Sequence, residues 1–524
     1  MDNKIWLTKL ASLDKRIKSF AEGYRQNIVL LGDDLEEVSY LLEDYLQTNK
    51  IGNLTYLRAT TVNVGKRDFF KTVVLALLNS CTKRQDSFDN LLSQASFDLQ
   101  NTTEFAKSCL AKTDISFFDV LEVINKFINE TRLSCVLIIE DFLRLTDAFG
   151  DFYRDFSKFI ILQRNCMVVL TTLHSKDAEK ALSSELNLLF GNFEKIFLNE
   201  DNYIKNFTYF RQKLLPVSPS PFFMSFFLNR MGSNIIYYNL LSEIIQRNYQ
   251  PEDENSSILS IIEKALYSKE TYFFQKFNNR IELLKVYFKD WLSTNKLLIA
   301  LGEGYLRKSE LLSLGIYASS ELDSRLQKLS ELNYIENLGN IYKIKDPLFS
   351  FWLTAIFKLY LSPPILEPQL RMALYRKKME EEIALFREEF YKDKIKKILQ
   401  LFSSFKNDIL RLGRDRYRLP SIEKLKIISY PQRDLHLIVG EGKEIVFAGI
   451  KEKNVEDSDI YDFIEKGTNV RGKGVKKIFI SLDTVSHAAR LIAKNNRVII
   501  WDIGDVNRLL GIYNKPFVAN SLLT

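Results

Sequence analysis

Short runs of consecutive apolar residues, separated by segments with apolar positions three and four apart, organise the first 200 residues. Five such runs, Asn27–Leu31, Leu54–Arg58, Cys135–Ile139, Met167–Thr171 and Phe193–Leu198, are apolar nearly throughout. A strand covered on both faces needs that pattern. Phe69–Leu78 and Ser116–Ile128 carry the spacing of amphipathic helices instead. The alternation predicts a parallel sheet flanked by helices. A helix over Leu7–Phe20 precedes the first run, and Gly32 closes that run, where an α/β fold places a phosphate-binding turn.

Residues 201–290 predict helices, with Phe222-Phe223, Phe226-Phe227, Tyr237-Tyr238 and Phe273-Phe274 spaced for a packed face. Residues 291–360 predict a winged helix-turn-helix. Its first helix carries Trp291, Leu292, Leu297 and Leu298, and its second, Leu306–Leu314, stops at Gly315. A third runs from Ser319-Ser320 to Leu332, and Tyr334-Ile335-Glu336 and Ile341-Tyr342-Lys343-Ile344 flank Asn337-Leu338-Gly339-Asn340 as a wing. Residues 361–424 read as a basic helical connector, with one or two charged helices from Lys377 to Arg411. Strands return in 425–524 at Leu435–Val439, Glu444–Gly449, Lys477–Ser481 and Arg497–Trp501, separated by helices at Asp457–Lys466 and Val485–Lys494. This last stretch reads as a small α/β domain.

Composition changes the picture in two places. With 46% hydrophobic and 27% charged residues over 524 positions, the chain is expected to be globular and to contain several domains. The net charge is +7, and residues 371–430 hold 16 Lys/Arg against 9 Asp/Glu, so the positive excess is concentrated there. Attraction to a polyanion is expected in that stretch, although a solvated helix face explains the same pattern. Cys81, Cys109, Cys135 and Cys166 form no CxxC, and His174, His436 and His487 are not at metal-ligand spacing, so no metal site is expected. Phe349–Leu366 is broken by Lys358 and Pro363-Pro364, and residues 1–6 lack the apolar core of a signal peptide. A cytoplasmic protein without a membrane partner is expected.

A P-loop requires GxxxxGK[ST] after the first strand: glycines expose backbone N–H groups to phosphate, Lys bridges phosphates, and the hydroxyl holds Mg2+. Here Gly32-Asp33-Asp34-Leu35-Glu36-Glu37-Val38-Ser39 keeps the first Gly and the hydroxyl, but has Glu37 for the second Gly and Val38 for the Lys. Four carboxylates in that turn should repel a triphosphate. The run Val136–Ile139 ends in Glu140-Asp141, the two acids of a Walker B strand in swapped order, and the next ends in Leu170-Thr171-Thr172, where a polar residue would sense the γ-phosphate.

In this sequence of motifs the chain resembles the AAA+-related STAND-type ATPases of archaea and bacteria. These join a P-loop domain and helical lid to a winged helix and, often, a restriction-endonuclease-like domain. Met231-Gly232-Ser233-Asn234-Ile235-Ile236-Tyr237 matches the spacing of their GxP lid turn, with Ile235 for Pro. Tyr342-Lys343-Ile344-Lys345-Asp346-Pro347-Leu348-Phe349-Ser350-Phe351-Trp352 matches best. The resemblance implies a multidomain α/β plus α architecture: a P-loop NTPase-like domain (1–200), lid (201–290), winged helix-turn-helix (291–360), basic connector (361–424) and a PD-(D/E)xK-like α/β domain (425–524). It also implies ATP-driven switching, with Gly32, Ser39 and Thr171 at nucleotide, Asp141 supporting Mg2+ and Glu140 polarising water, while Glu37 and Val38 point to a degenerate site.

PD-(D/E)xK nucleases bind Mg2+ through acids on successive strands and orient water with Lys. Asp434 and Lys451 fit that pattern, and Gly449 stands in place of the second acid. Strand alternation should turn Glu452 away from Lys451. A nuclease remnant is expected rather than a nuclease.

For DNA, the third winged-helix helix offers Arg325 and Lys328 beside Glu321, Asp323 and Glu331, a weak groove-reading face. Arg411, Arg414, Arg416 and Arg418 are the better phosphate contacts. The sequence leaves three readings open. One is a regulatory or scaffold pseudo-ATPase engaging DNA, a protein partner or its own copies. The others are an ATP- and Mg2+-dependent switch and a metal-dependent nuclease.

Overall fold

The computed structural model describes residues 9–518 except 50, 62–64, 83–85, 174–177, 179, 186–192, 199–202, 362–366, 413–414, 469 and 471–474. Two compact units divide at residue 200, Met1–Glu200 and Asp201–Thr524.

In the first unit, β1 (Asn27–Leu31), β2 (Leu54–Thr60), β3 (Ser134–Glu140), β4 (Cys166–Thr172) and β5 (Phe193–Phe197) form one sheet in the order β2-β3-β4-β1-β5. Every pairing is parallel. Each strand occupies one of the five apolar runs, because β1, β3 and β4 are buried along almost their whole length. Helices α1 (Ala11–Ala21), α2 (Leu35–Thr48), α3 (Lys66–Thr82), α4 (Phe117–Thr131) and α5 (Phe152–Leu162) flank the sheet. Helix α4 begins in a capping box between Ser116 and Asp119, which satisfies two backbone donors at once. Val123, Ile124 and Phe127 from its apolar stripe join Leu137 and Ile139 in the core. The carboxyl ends of β1, β3 and β4 thus meet at one rim of the sheet, β1 lying between β4 and β5.

The second unit starts with a helical layer. Helices α6 (Pro221–Met231), α7 (Ile235–Asn248) and α8 (Tyr272–Tyr287) contribute Phe222, Phe226, Tyr238 and Phe277 to a single core, so the aromatic pairs pack inward. Next come α9 (Trp291–Gly302), α10 (Lys308–Ser313), α11 (Ser319–Glu331) and a hairpin of β6 (Ile335–Asn337) and β7 (Tyr342–Ile344), which build the winged helix-turn-helix. Two long helices follow, α12 (Pro368–Phe390) and α13 (Lys394–Ser403).

The helical reading of Lys377 to Arg411 is corrected at its end. Arg411 lies on β8 (Asp408–Leu412), paired antiparallel with β9 (Asp415–Leu419). Leu410 and Leu419 are fully buried, and burying them fixes the hairpin despite its arginines. The chain then enters a mixed sheet in sequence order: β10 (Ile422–Tyr430), β11 (Leu435–Gly442), β12 (Val446–Lys451), β13 (Lys476–Ser481) and β14 (Val498–Trp501). The first three strands pair antiparallel and the last three parallel. One face packs on α13 and α16 (Ile503–Ile512), the other on α14 (Asp457–Gly467) and α15 (His487–Asn495). Among the described residues no helix is long and apolar enough to cross a membrane.

Candidate functional site: a self-paired sheet rim and a side-chain trio

The rim between β1 and β4 is where a phosphate would sit, and this chain fills it with its own side chains. Helix α2 starts at Leu35, with only Gly32, Asp33 and Asp34 between it and the end of β1 at Leu31. Its N-cap is Asp34, whose carboxylate accepts from the Glu36 N–H at 3.0 Å. A helix N-terminus presents partial positive charge and unpaired N–H groups. Here a carboxylate of the chain itself answers them.

Gly32 shows how closed the turn is. A Cβ there would lie 2.4 Å from Val38 Cγ2, so the residue at the lysine position packs over the glycine. Glu37, at the second-glycine position, is buried and forms an ion pair with Lys9. Ser39 donates its hydroxyl to Glu140 Oε2, and Arg58 binds Glu140 through the other oxygen while also reaching Glu43. The structure therefore brings Gly32, Ser39 and Glu140 together as the sequence predicts. It spends their polar groups on one another and on Lys9 and Arg58, which the strand pattern gave no reason to single out.

Asp141 and Thr171 are likewise engaged internally. Asp141 adopts a left-handed backbone (φ +52°) just past β3 and pairs with Arg144 at 2.5 Å. Its N–H donates to Thr171 Oγ1 at 3.1 Å, and Thr171 is fully buried. Thr61 donates to the carbonyls of Glu140 and Asp141 at 2.8 and 2.9 Å, tying down the end of the strand. A groove of about 430 Å³ opens beside these residues, with Asp141, Asp147 and Glu185 set against Arg144 and Lys180. Its excess of carboxylates does not suit a triphosphate.

The two segments that carry the lid and winged-helix resemblance meet. Gly232 has φ +63°, and a Cβ on it would come within 3.1 Å of Pro347 Cδ. Tyr237 donates to Asp346 Oδ2 at 2.7 Å, and Arg280 pairs with the same oxygen at 3.1 Å. Asp346 also caps the helix that begins at Pro347 by accepting from the Leu348 and Phe349 N–H groups.

The arginines divide. Arg325 is turned inward between the rings of Phe288 and Tyr317, its side chain only 17% exposed, and pairs with Glu321 at 3.4 Å. Lys328 stays near the surface, 3.6 Å from Glu331. By contrast Arg411, Arg416 and Arg418 are exposed and share one face of the β8–β9 hairpin. Arg411 lies directly opposite Arg416, and Ile409 opposite Arg418. Arg418 pairs with Glu444 at 2.9 Å. The hairpin continues the wing, since the Arg411 N–H donates to the Leu338 carbonyl at 2.7 Å and the Asn340 N–H to Ile409 at 3.1 Å. Arg414 lies outside the described residues.

The nuclease-like arrangement is corrected. Asp434 does not open a strand; it sits in a left-handed turn (φ +50°) before β11. Lys451 is in register with Leu435 and turns toward α14, where it pairs with Asp459 at 2.7 Å. Asp434 is one residue out of step and gathers instead with His436 and Glu452, their ligand atoms within 4.8 Å of one another. Gly449 leaves no room for the missing acid, because a Cβ there would lie 2.9 Å from Phe463 and 3.0 Å from Phe479. The residues present therefore do not fit a PD-(D/E)xK magnesium site. No linear spacing marks the trio, because Asp434 precedes β11, His436 lies on it and Glu452 follows β12, and only the pairing of the two strands brings them together.

The all-parallel sheet with β1 between β4 and β5, flanked by helices, is a doubly wound α/β layer with its strand ends gathered at one rim. No protein-family model and no curated protein matches the chain. Among solved structures it is similar to the Walker-type ATPase PABY2304 of Pyrococcus abyssi, at 14% identity over 65% of this chain and 93% of that one, TM-score 0.47. It is also similar to the Aeropyrum pernix ORC2 protein in its ADPNP–ADP complexes (8% identity, 71% and 94% covered, TM-score 0.40). A third is the Aeropyrum pernix ORC1 protein in complex with DNA (9%, 67% and 92%, TM-score 0.32). At these identities and scores the likeness says nothing of this chain's own chemistry.

Proposed function

We propose that this chain is a non-hydrolysing, STAND-like regulatory or scaffold protein: its first unit keeps the shape of a nucleotide switch without the ligand, and its second engages DNA or a protein partner. One observation carries the reading. The positions that would hold phosphate and Mg2+ are occupied by Asp34, Val38, the Lys9–Glu37 pair and the Arg58–Glu140–Ser39 cluster. To bind a triphosphate there, the chain would have to break two part-buried ion pairs, Lys9–Glu37 and Arg58–Glu140, and bring the ligand into a net-acidic turn. Each break would strand a buried carboxylate, at a cost below the about 3–5 kcal/mol of a fully buried pair.

Equilibrium binding of a fluorescent ATP analogue with Mg2+ tests this at high protein concentration. No binding up to millimolar ligand is expected, which corresponds to an affinity weaker than about 4 kcal/mol. Micromolar binding overturns the reading and moves the ATP-dependent switch to the front. The DNA arm rests on the exposed arginine face of β8–β9, which is continuous with the wing.

A further inference from the structure

We infer that Asp434, His436 and Glu452 form a binding site for one divalent transition-metal ion, on the sheet face opposite Lys451. The three residues come together through separate devices. The left-handed turn at Asp434 folds its carboxylate back over the end of β12, where Oδ2 accepts from the Lys453 N–H at 3.0 Å. The register His436↔Ile450 places His436 and Glu452 on the same side of neighbouring strands. A hydrogen bond of 2.9 Å joins His436 Nδ1 to Ser429 Oγ on β10, outside the trio. That bond fixes the ring and leaves Nε2 as the ligand atom, the outer-shell arrangement that metal-bound histidines use.

Geometry and charge agree with an ion. Ligand atoms about 2.1 Å from a metal lie about 3–4 Å from one another, so a trio within 4.8 Å closes over an ion by small side-chain rotations. All three residues are partly exposed, which leaves further positions open to water. Lys394 pairs with Glu452 Oε2 at 3.3 Å and offsets part of the negative charge. Two carboxylates and one imidazole suit Mn2+ or Zn2+; Mg2+ and Ca2+ prefer oxygen alone. This site depends neither on the nucleotide reading nor on a nuclease-type constellation, since Lys451 and Asp459 point away from it.

The test is Mn2+ titration of the full chain, followed by the loss of the free-ion paramagnetic resonance signal, with Zn2+ as competitor. One Mn2+ per chain at micromolar affinity is expected, displaced by Zn2+. His436→Gln and Glu452→Gln should each weaken binding at least tenfold, and Lys451→Met should leave it unchanged. Thermal melts of each variant show that it folds, and if one does not, the other decides. Absence of binding below millimolar Mn2+, or binding unaffected by the trio variants, overturns the site. So does binding that is lost in Lys451→Met.

Discussion

Val38 and Glu37 do more than depart from the P-loop pattern. Val38 Cγ2 packs over Gly32 and Glu37 holds Lys9, so both side chains are built into the turn. Reverting them should not restore a phosphate site, because Asp34 still caps a helix that starts at Leu35. The double variant Glu37→Gly, Val38→Lys is expected to melt lower than the parent and to show no thermal shift with millimolar Mg-ATP. A shift of several degrees would show that the loop re-forms and that the loss is only two residues deep. Lys397 gives a residue-scale pH effect. Burial pushes its ammonium down to about 8, and its Nζ donates to the Phe390 carbonyl at 2.8 Å. Between pH 8 and about 10.5 the unfolded chain then holds a proton that the folded chain has released, so this group's contribution to stability rises with pH across that window. Melting temperature of the parent relative to Lys397→Met should therefore increase from pH 8 to pH 10. A constant difference would count against the depressed value.

Helix α2 shows why an element can close a site that single residues only weaken. Asp34 supplies the anion at its N-terminus, and Asp34→Ala should cost about 0.5–2 kcal/mol in a denaturation experiment, the usual loss on removing a side-chain cap. The strands of the first sheet were legible to within two residues at either end, since burial on both faces leaves an unbroken apolar run. The hairpin β8–β9 and strand β10 were not. Their outward positions carry Arg and Lys, and β10 is an exposed edge with no buried position, so neither apolar runs nor clean alternation marked them. The site divides in the same way. Gly32, Ser39, Glu140 and Thr171 were visible by register, whereas Lys9 and Arg58 act through tertiary contacts that no local pattern encodes. Gly449 makes the parallel point on β12. Gly449→Glu, which restores the nuclease signature, would drive a carboxylate into Phe463 and Phe479. A loss of about 1–3 kcal/mol from overpacking is expected, with no Mn2+-dependent DNA cleavage; cleavage would reopen the nuclease reading.

In the second unit, the winged helix, the connector and the last α/β domain converge on one buried carboxylate. Asp408 is fully buried and accepts from Arg307 Nε and Nη2 at 2.7 Å each and from the Tyr513 hydroxyl at 2.7 Å. Arg307 lies at the start of α10, Asp408 opens β8 and Tyr513 follows α16, so the joint orients the arginine hairpin against the wing. A fixed hairpin turns three arginines into one surface instead of three independent charges. If that surface lies along a phosphate backbone, affinity for non-specific duplex DNA must fall steeply with salt, by close to 0.9 log units per log unit of salt for each phosphate contacted. The variant Arg411→Ala, Arg416→Ala, Arg418→Ala should lower that slope by about two rather than three, because Arg418 already spends part of its charge on Glu444. Equal affinity and equal slope in parent and variant would remove DNA from this face and leave a protein partner as the occupant to seek. A lower affinity with an unchanged slope would instead point to disturbed packing of the hairpin, which the melting temperature of the same variant would reveal.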